Sequence, residues 1–354
     1  MNQIDQYLLK LLEKEGSDLH FLAGGPARIR VNGDLTVLDE ATISQTLAES
    51  ALMEIMPFNA RETLEQRDGA DFAYQLENVG RFRVNVFRHL NGMGGIFRAI
   101  PSQALTLQEL GMPSVIYNLC KYRSGMILVT GKTGSGKSTT LAAIIDVLNK
   151  RLKGHILTIE DPIEFVHRRQ GCLISQREIG AHCGNFAEAL HSALREDPDV
   201  ILIGEMRDLE TMSIAVTAAE MGILVMGTLH TNGAAATVDR IVNVFPYEKQ
   251  AQIRAMLSTS LRGVISQQLV KRADQQGRIA ALEILVNTPA VANLIRQGKL
   301  DQLENVMQSG AQAGMQTMDG DLQQLHRKRQ ITGDEVYQKA INKSKFEDLK
   351  GQGV

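Results

Sequence analysis

Met126-Ile127-Leu128-Val129-Thr130, Gly131-Lys132-Thr133-Gly134-Ser135-Gly136-Lys137-Ser138 and Thr139-Thr140-Leu141-Ala142-Ala143-Ile144-Ile145 follow one another without a break, and their reading decides the fold. The first segment is a short apolar run of the kind that forms a buried strand. The last places apolar residues at helical spacing. Between them, residues 131–138 fit G-x-x-x-x-G-K-[ST] at every fixed position. Gly131, Gly134 and Gly136 permit backbone angles that other residues avoid, so successive N–H groups can turn inward around phosphates. Lys137 brings a point charge to the β- and γ-phosphates, and the Ser138 hydroxyl is placed to ligate Mg²⁺. Strand, glycine loop and helix together aim a helix N-terminus at an anion. A glycine-rich turn that merely joins two elements is the plainer reading, and the full motif in this context stands against it.

Outward from this segment, strand candidates at 126–130, 155–160, 200–204 and 223–229 alternate with helical patterns, which predicts an α/β fold with a mainly parallel sheet. Holding a nucleotide is not hydrolysing it: Mg²⁺, an oriented water and neutralised γ-phosphate charge are also needed. The strand Val200-Ile201-Leu202-Ile203-Gly204 ends at Glu205, where a carboxylate can hold the metal's water shell or polarise the attacking water. An acid that simply ends a strand in solvent is the alternative. Glu160-Asp161-Pro162-Ile163-Glu164 follows another strand, and Pro162 forces a turn that gathers carboxylates at the edge where ligands sit in open α/β sheets. A solvated turn is the rival there. His230 closes the run Gly227-Thr228-Leu229, and the residues leave open whether it meets a γ-phosphate or is a satisfied turn residue.

Two stripes, Phe186-Ala189-Leu190-Ala193-Leu194 and Ile253-Met256-Leu257-Leu261-Val264-Ile265, read as core-facing amphipathic helices. From about residue 290 the tail is polar and helical, with Gly310 and Gly314 as breaks. Residues 1–100 look like a separate small α+β domain. They open with a helix carrying Ile4, Leu8, Leu11 and Leu12 and continue into strand candidates at 18–22, 27–31, 71–75, 81–87 and 93–98. In Arg81-Phe82-Arg83-Val84-Asn85-Val86-Phe87 the alternation puts Phe82, Val84 and Val86 on one face and the arginines on the other. Pro101 and Pro113 bracket a linker, taken as 101–112, and residues 113–354 form the second domain.

Bulk properties bound the rest. The 354 residues allow two domains, and 44% apolar with 22% charged residues is ordinary for a soluble globular chain. A net charge of −2 gives no global basic field, so nucleic acid is not an expected partner. Cys120, Cys172 and Cys183 are sparse and form no C-x-x-C pair, which fits a reducing compartment. Charges at Asp5, Lys10, Glu13, Lys14 and Glu15 leave no signal-peptide core, and no run approaches the roughly 18 apolar residues of a membrane span. A cytoplasmic location is expected.

Taken together these residues resemble the secretion ATPases of type IV pilus and type II secretion systems, and within them the type IV pilus retraction ATPases. Residues 131–139 match the family's Walker A, 158–164 its Asp box, 194–208 its Walker B, and Gly227-Thr228-Leu229-His230-Thr231-Asn232 its His box. Ser17-Asp18-Leu19-His20 and Gly80-Arg81-Phe82-Arg83 match in the N-terminal part. The resemblance implies a homohexameric ring in which a PAS-like N-terminal domain is linked to a RecA-like P-loop ATPase domain with a helical C-terminal part. It implies ATP and Mg²⁺ as ligands, contacted by Gly131, Lys132, Thr133, Gly134, Ser135, Gly136, Lys137, Ser138, Thr139, Glu160 and Asp161, with Ser138 on the metal and Glu205 reaching it through water. Glu205, Glu164 and His230 are its implied catalytic residues. Its phosphate-reaching arginines match Arg83 and Arg98 best, then Arg81, Arg88 and Arg123, each of which also reads as an exposed strand-face charge.

Lys132 stands where the family usually has proline, Ile223 where histidine is common, and Gln252 where the family has alanine. A four-cysteine zinc module, usual in assembly and secretion members, is missing, which favours retraction. The expected function is therefore ATP hydrolysis powering pilus retraction and twitching motility. The expected setting is the cytoplasm at the inner face of the inner membrane. The partners implied are an inner-membrane platform protein, through which alone the chain meets the membrane, and a paralogous pilus motor ATPase. The rivals are an assembly or type II secretion ATPase of the same superfamily, and a nucleotide-gated regulatory subunit with weak hydrolysis.

Overall fold

The computed structural model of the chain describes residues 2–31, 33–77, 79–100, 104–275 and 277–353. Contacts divide it into two units, Met1–Gln103 with Glu164–Val166, and Ala104–Ile163 with His167–Val354. The expected linker at 101–112 falls partly outside the described residues, at 101–103. The remainder groups with the second unit, where Leu107 is fully buried beside Met112 and Ile116.

The first unit holds α1 (Asp5–Glu13), β1 (Asp18–Leu22), β2 (Pro26–Val31), β3 (Asp34–Thr42), α2 (Gln45–Ile55), α3 (Phe58–Gln66), β4 (Gly69–Leu76), β5 (Gly80–His89) and β6 (Gly92–Ile100). Its six strands form one antiparallel sheet in the order β3-β2-β1-β6-β5-β4. Phe21, Phe82, Val84, Val86 and Phe97 turn one face inward onto Leu8, Leu11 and Leu52 of the helices. The period-two alternation leaves Arg83 and Arg98 on the opposite, exposed face. There they are direct cross-strand partners, and Asp18 lies opposite Arg98 on the next strand.

The second unit begins with α4 (Ser114–Leu119), β7 (Gly125–Thr130), α5 (Lys137–Arg151), β8 (His155–Glu160) and β9 (Leu173–Glu178). It continues through α6 (Phe186–Ala193), β10 (Val200–Ile203), α7 (Leu209–Glu220), β11 (Leu224–Leu229), α8 (Ala234–Asn243) and α9 (Tyr247–Ser260). The hairpin strands β12 (Leu261–Lys271) and β13 (Arg278–Val286) precede the helical tail of α10 (Pro289–Gln297), α11 (Leu303–Ser309), α12 (Met318–Arg327) and α13 (Gly333–Lys339). The sheet order is β13-β12-β7-β11-β10-β8-β9, parallel throughout except for the β12–β13 pair.

Every residue of β7, β10 and β11 is buried, because helices cover both faces. Met126 and Leu128 pack to one side with Ile201, Val225 and Leu257, and Ile127 and Val129 to the other with Ile144, Leu148 and Leu202. One expectation is corrected. The stripe from Ile253 to Ile265 is not one helix: α9 ends at Ser260, and Leu261, Val264 and Ile265 lie on β12. An interior strand buried on both faces shows no polar alternation, so its apolar residues mimicked helical spacing.

Candidate functional site

The parallel strands of the second unit all end at one edge, and the predicted residues of that unit collect there because each follows a strand. The loop after β7 is Gly131–Gly136, and its last glycine, in the left-handed region at φ 87°, caps α5. Lys132, Thr133 and Gly134 are exposed, while Ser135 is buried. Lys137 is only 8% exposed, and its Nζ donates to the carbonyls of Gly131 at 2.9 Å and Lys132 at 3.2 Å. The ammonium thus arches back over the loop. Ser138 and Thr139 are half-buried in the first turn of α5, where orphan N–H groups favour an anion. The Ser135 hydroxyl is buried with no hydrogen-bond partner, and beside Gly134 a Cβ would meet nothing within 4 Å. A cavity of about 480 Å³ opens from the loop and is lined by Lys132, Thr133, Asn232, Gln268, Arg278 and Lys339. The cations Lys132, Arg278 and Lys339 outnumber the one carboxylate in the lining, Glu283, which suits an anionic ligand.

Glu205 follows β10 by one glycine and β11 delivers His230 to the same edge. His230 Nε2 lies 3.2 Å from Glu205 Oε1, and Arg207 Nε reaches that same oxygen at 2.5 Å. The two turns are tied together: Met206 N donates to the Thr228 carbonyl at 3.0 Å, and the Thr228 hydroxyl donates to the Gly204 carbonyl. Burial pushes the Glu205 carboxyl up, but the Arg207 hydrogen bond and the charges of His230 and Arg207 outweigh it and hold the group below the ordinary range. Arg207 is pushed up by Glu205, with a further contribution from Asp161.

Glu160 accepts from Thr158 Oγ1 at 2.7 Å and from Gln176 Nε2 at 3.3 Å. Asp161 is exposed at the same strand end, and Glu164 is exposed in the Glu164–Val166 stretch that groups with the first unit. Arg83 and Arg98 also belong to the first unit. Arg98 Nε bonds Asp18 at 2.9 Å and Arg83 Nε stands 3.9 Å from Asp71.

Several residues of the second unit escaped the sequence reading. Gln267 on β12 donates to the Ser135 carbonyl and accepts from Thr140. Ser266, one residue earlier, accepts from the N–H of Gly233 at 2.9 Å, and its cross-strand partner Glu283 accepts from the N–H of Ala234 at 2.7 Å. Burial pushes the Glu283 carboxyl up despite this bond and one from Met318. Polar residues inside an apolar strand were the available signal for all three.

The family model described as type II/IV secretion system protein matches residues 1–345. The chain is 50% identical over 334 residues to the type IV pilus retraction ATPase PilT of Pseudomonas aeruginosa, covering 94% of this chain and 97% of that protein. It is 51% identical over 314 residues to the twitching motility protein of Neisseria gonorrhoeae, covering 89% and 84%. The crystal structure of the pilus retraction motor PilT with bound ADP superposes with a TM-score of 0.91 at 39% identity, covering 99% of this chain and 100% of that one. With the geometry and these likenesses agreeing, the chain belongs to the type II/IV secretion system protein family.

Proposed function

We propose that this chain is a motor ATPase that hydrolyses ATP to power type IV pilus retraction. The observation that carries it is the placement of the Lys137 loop, Glu205 and His230 at the ends of neighbouring parallel strands, in a chain half identical to a retraction ATPase. In this reading the first unit is a PAS-like domain and the second a RecA-like ATPase domain. The protein works as a cytoplasmic homohexamer docked on an inner-membrane platform protein.

Lys137 and the loop N–H groups hold the β- and γ-phosphates of ATP, with Gly131 to Thr139 as the cradle. Ser138 and, through water, Glu205 would hold Mg²⁺, with Glu160 and Asp161 as further hard oxygen donors of the kind that suit it. Bound there, the metal would neutralise charge on the phosphate oxygens. A carboxylate held below its ordinary pKa is a weak base, so Glu205 acts mainly by orienting the attacking water and stabilising positive charge. His230, on the same oxygen, links Glu205 to the occupant of the γ-phosphate position. Arg83 and Arg98 are the candidates for the cations that complete charge neutralisation, supported by their side-by-side exposure on β5 and β6.

The test is phosphate release by the purified protein, paired with pilus counts in a deletion strain. Mg²⁺-dependent turnover and excess pili support the reading. Nucleotide binding without turnover would point to a regulatory subunit, and loss of pili to an assembly motor.

A further inference from the structure

Gln267 is 3% exposed and 132 residues from the loop it touches. Its Nε2 donates to the Ser135 carbonyl at 2.6 Å, and its Oε1 accepts from Thr140 Oγ1 at 2.8 Å. The amide can sit only one way round. A backbone carbonyl has no proton to give, so the NH₂ end must face Ser135, and the Thr140 hydroxyl then donates to the remaining oxygen.

Its main chain closes the other end of the same loop. A Cβ on Gly131 would come 2.2 Å from the Gln267 carbonyl oxygen, so the first loop residue lies directly on the strand. Both ends of the phosphate loop therefore rest on one residue of β12.

The geometry has a consequence for anion binding. The Ser135–Gly136 peptide is planar and trans, so its N–H points opposite to its C=O. Drawing the Ser135 carbonyl toward the sheet turns the Gly136 N–H away from it, toward the open side of the loop. A loop whose Gly136 N–H is already turned outward loses less conformational entropy when phosphate arrives.

We propose that Gln267, oriented by Thr140, is a positioning residue of the phosphate-binding loop. It fixes the Ser135 carbonyl against the sheet so that the Gly136 N–H faces the nucleotide before binding. This rests on the ATP-binding reading of the same loop and deepens it.

The test uses the purified full chain and four variants, read by fluorescent-ADP affinity, steady-state ATP hydrolysis and thermal unfolding. Gln267→Met removes the amide at similar length, and Gln267→Glu replaces its donor with an anion facing a carbonyl. Thr140→Val removes the orienting hydroxyl at constant shape, and Thr140→Ser keeps it. An unsatisfied buried carbonyl or a mis-set amide should weaken ADP binding about tenfold in Gln267→Met, Gln267→Glu and Thr140→Val. KM should rise more than kcat falls, because the lost interaction is made in ground and transition states alike. Thr140→Ser should restore affinity to within about twofold of the parent. A merely structural role would lower the unfolding temperature and leave affinity unchanged.

If the Gln267 variants do not fold, the Thr140 pair decides alone. Thr140→Val binding ADP like the parent, or Thr140→Ser binding as weakly as Thr140→Val, overturns the role of Gln267. A parent protein that binds no nucleotide overturns the ATP reading itself, and with it this role.

Discussion

His230 Nε2 and Arg207 Nε converge on a single oxygen of Glu205, at 3.2 and 2.5 Å. That oxygen is consequently ionised and fixed in direction before any water is placed against it. Substituting Glu205→Gln keeps the shape but removes the charge. We expect nucleotide affinity close to the parent and turnover lower by about 10²–10⁴. Near-normal phosphate release by this variant would sink the assignment of Glu205.

Arg83 and Arg98 lead to the second prediction. Arg83→Ala and Arg98→Ala should each cut kcat by about 10³ or more if they complete charge neutralisation. Stability should hardly change. Arg98 is two-thirds exposed, and its bond to Asp18 is of the kind that contributes about 0.2–1 kcal/mol. Single-turnover rates with thermal unfolding measured alongside separate the two effects, and unchanged rates in both variants would remove these arginines from the chemistry.

Two loop glycines should respond differently to alanine. At Gly131, φ is 139° and the new Cβ would meet the Gln267 carbonyl at 2.2 Å, with no flexible atom to yield. The cost should reach about 3 kcal/mol or more. At Gly134, φ is 77° but the space is open, so only the left-handed penalty of about 1–2 kcal/mol applies. Urea-unfolding midpoints of Gly131→Ala and Gly134→Ala test the ranking, and equal costs would contradict it.

Glu283 makes stability depend on pH. Burial raises its carboxyl above the unfolded value, so the folded state binds the proton more tightly. The stabilisation is therefore complete below the ordinary glutamate range and is lost as pH rises through the raised pKa. Glu283→Gln retains an oxygen for the Ala234 N–H and cannot titrate. The unfolding temperature of the variant, relative to the parent, should climb across that interval and then level off. A constant difference from pH 4 to pH 8 would count against a raised Glu283.

Much of this was legible in the residues. The motif of residues 131–138, the strand at 155–160 and the alternation through Phe82, Val84 and Val86 are local patterns, and each lies where the spacing predicts. The hairpin of β12 and β13 was not legible. Its apolar residues face helices on both sides, so period two is lost, and Leu261-Val264-Ile265 extended the pattern of α9. Gln267, Ser266 and Glu283 join the candidate site only through contacts more than 30 residues away, which no window of sequence contains. Glu205 and His230 were read separately, and only the parallel register of β10 and β11 makes them neighbours.

The Ser266–Glu283 rung holds the first N–H groups of α8, just past His230, while Gln267 holds the phosphate loop one residue further on. Leu282, beside Glu283, donates its N–H to Asp321 of α12 at 2.8 Å. Loop, histidine turn and tail helix are thus bolted to one two-stranded beam. Such a beam shares its anchors, so a substitution that loosened β12 or β13 would disturb loop, histidine turn and tail helix together.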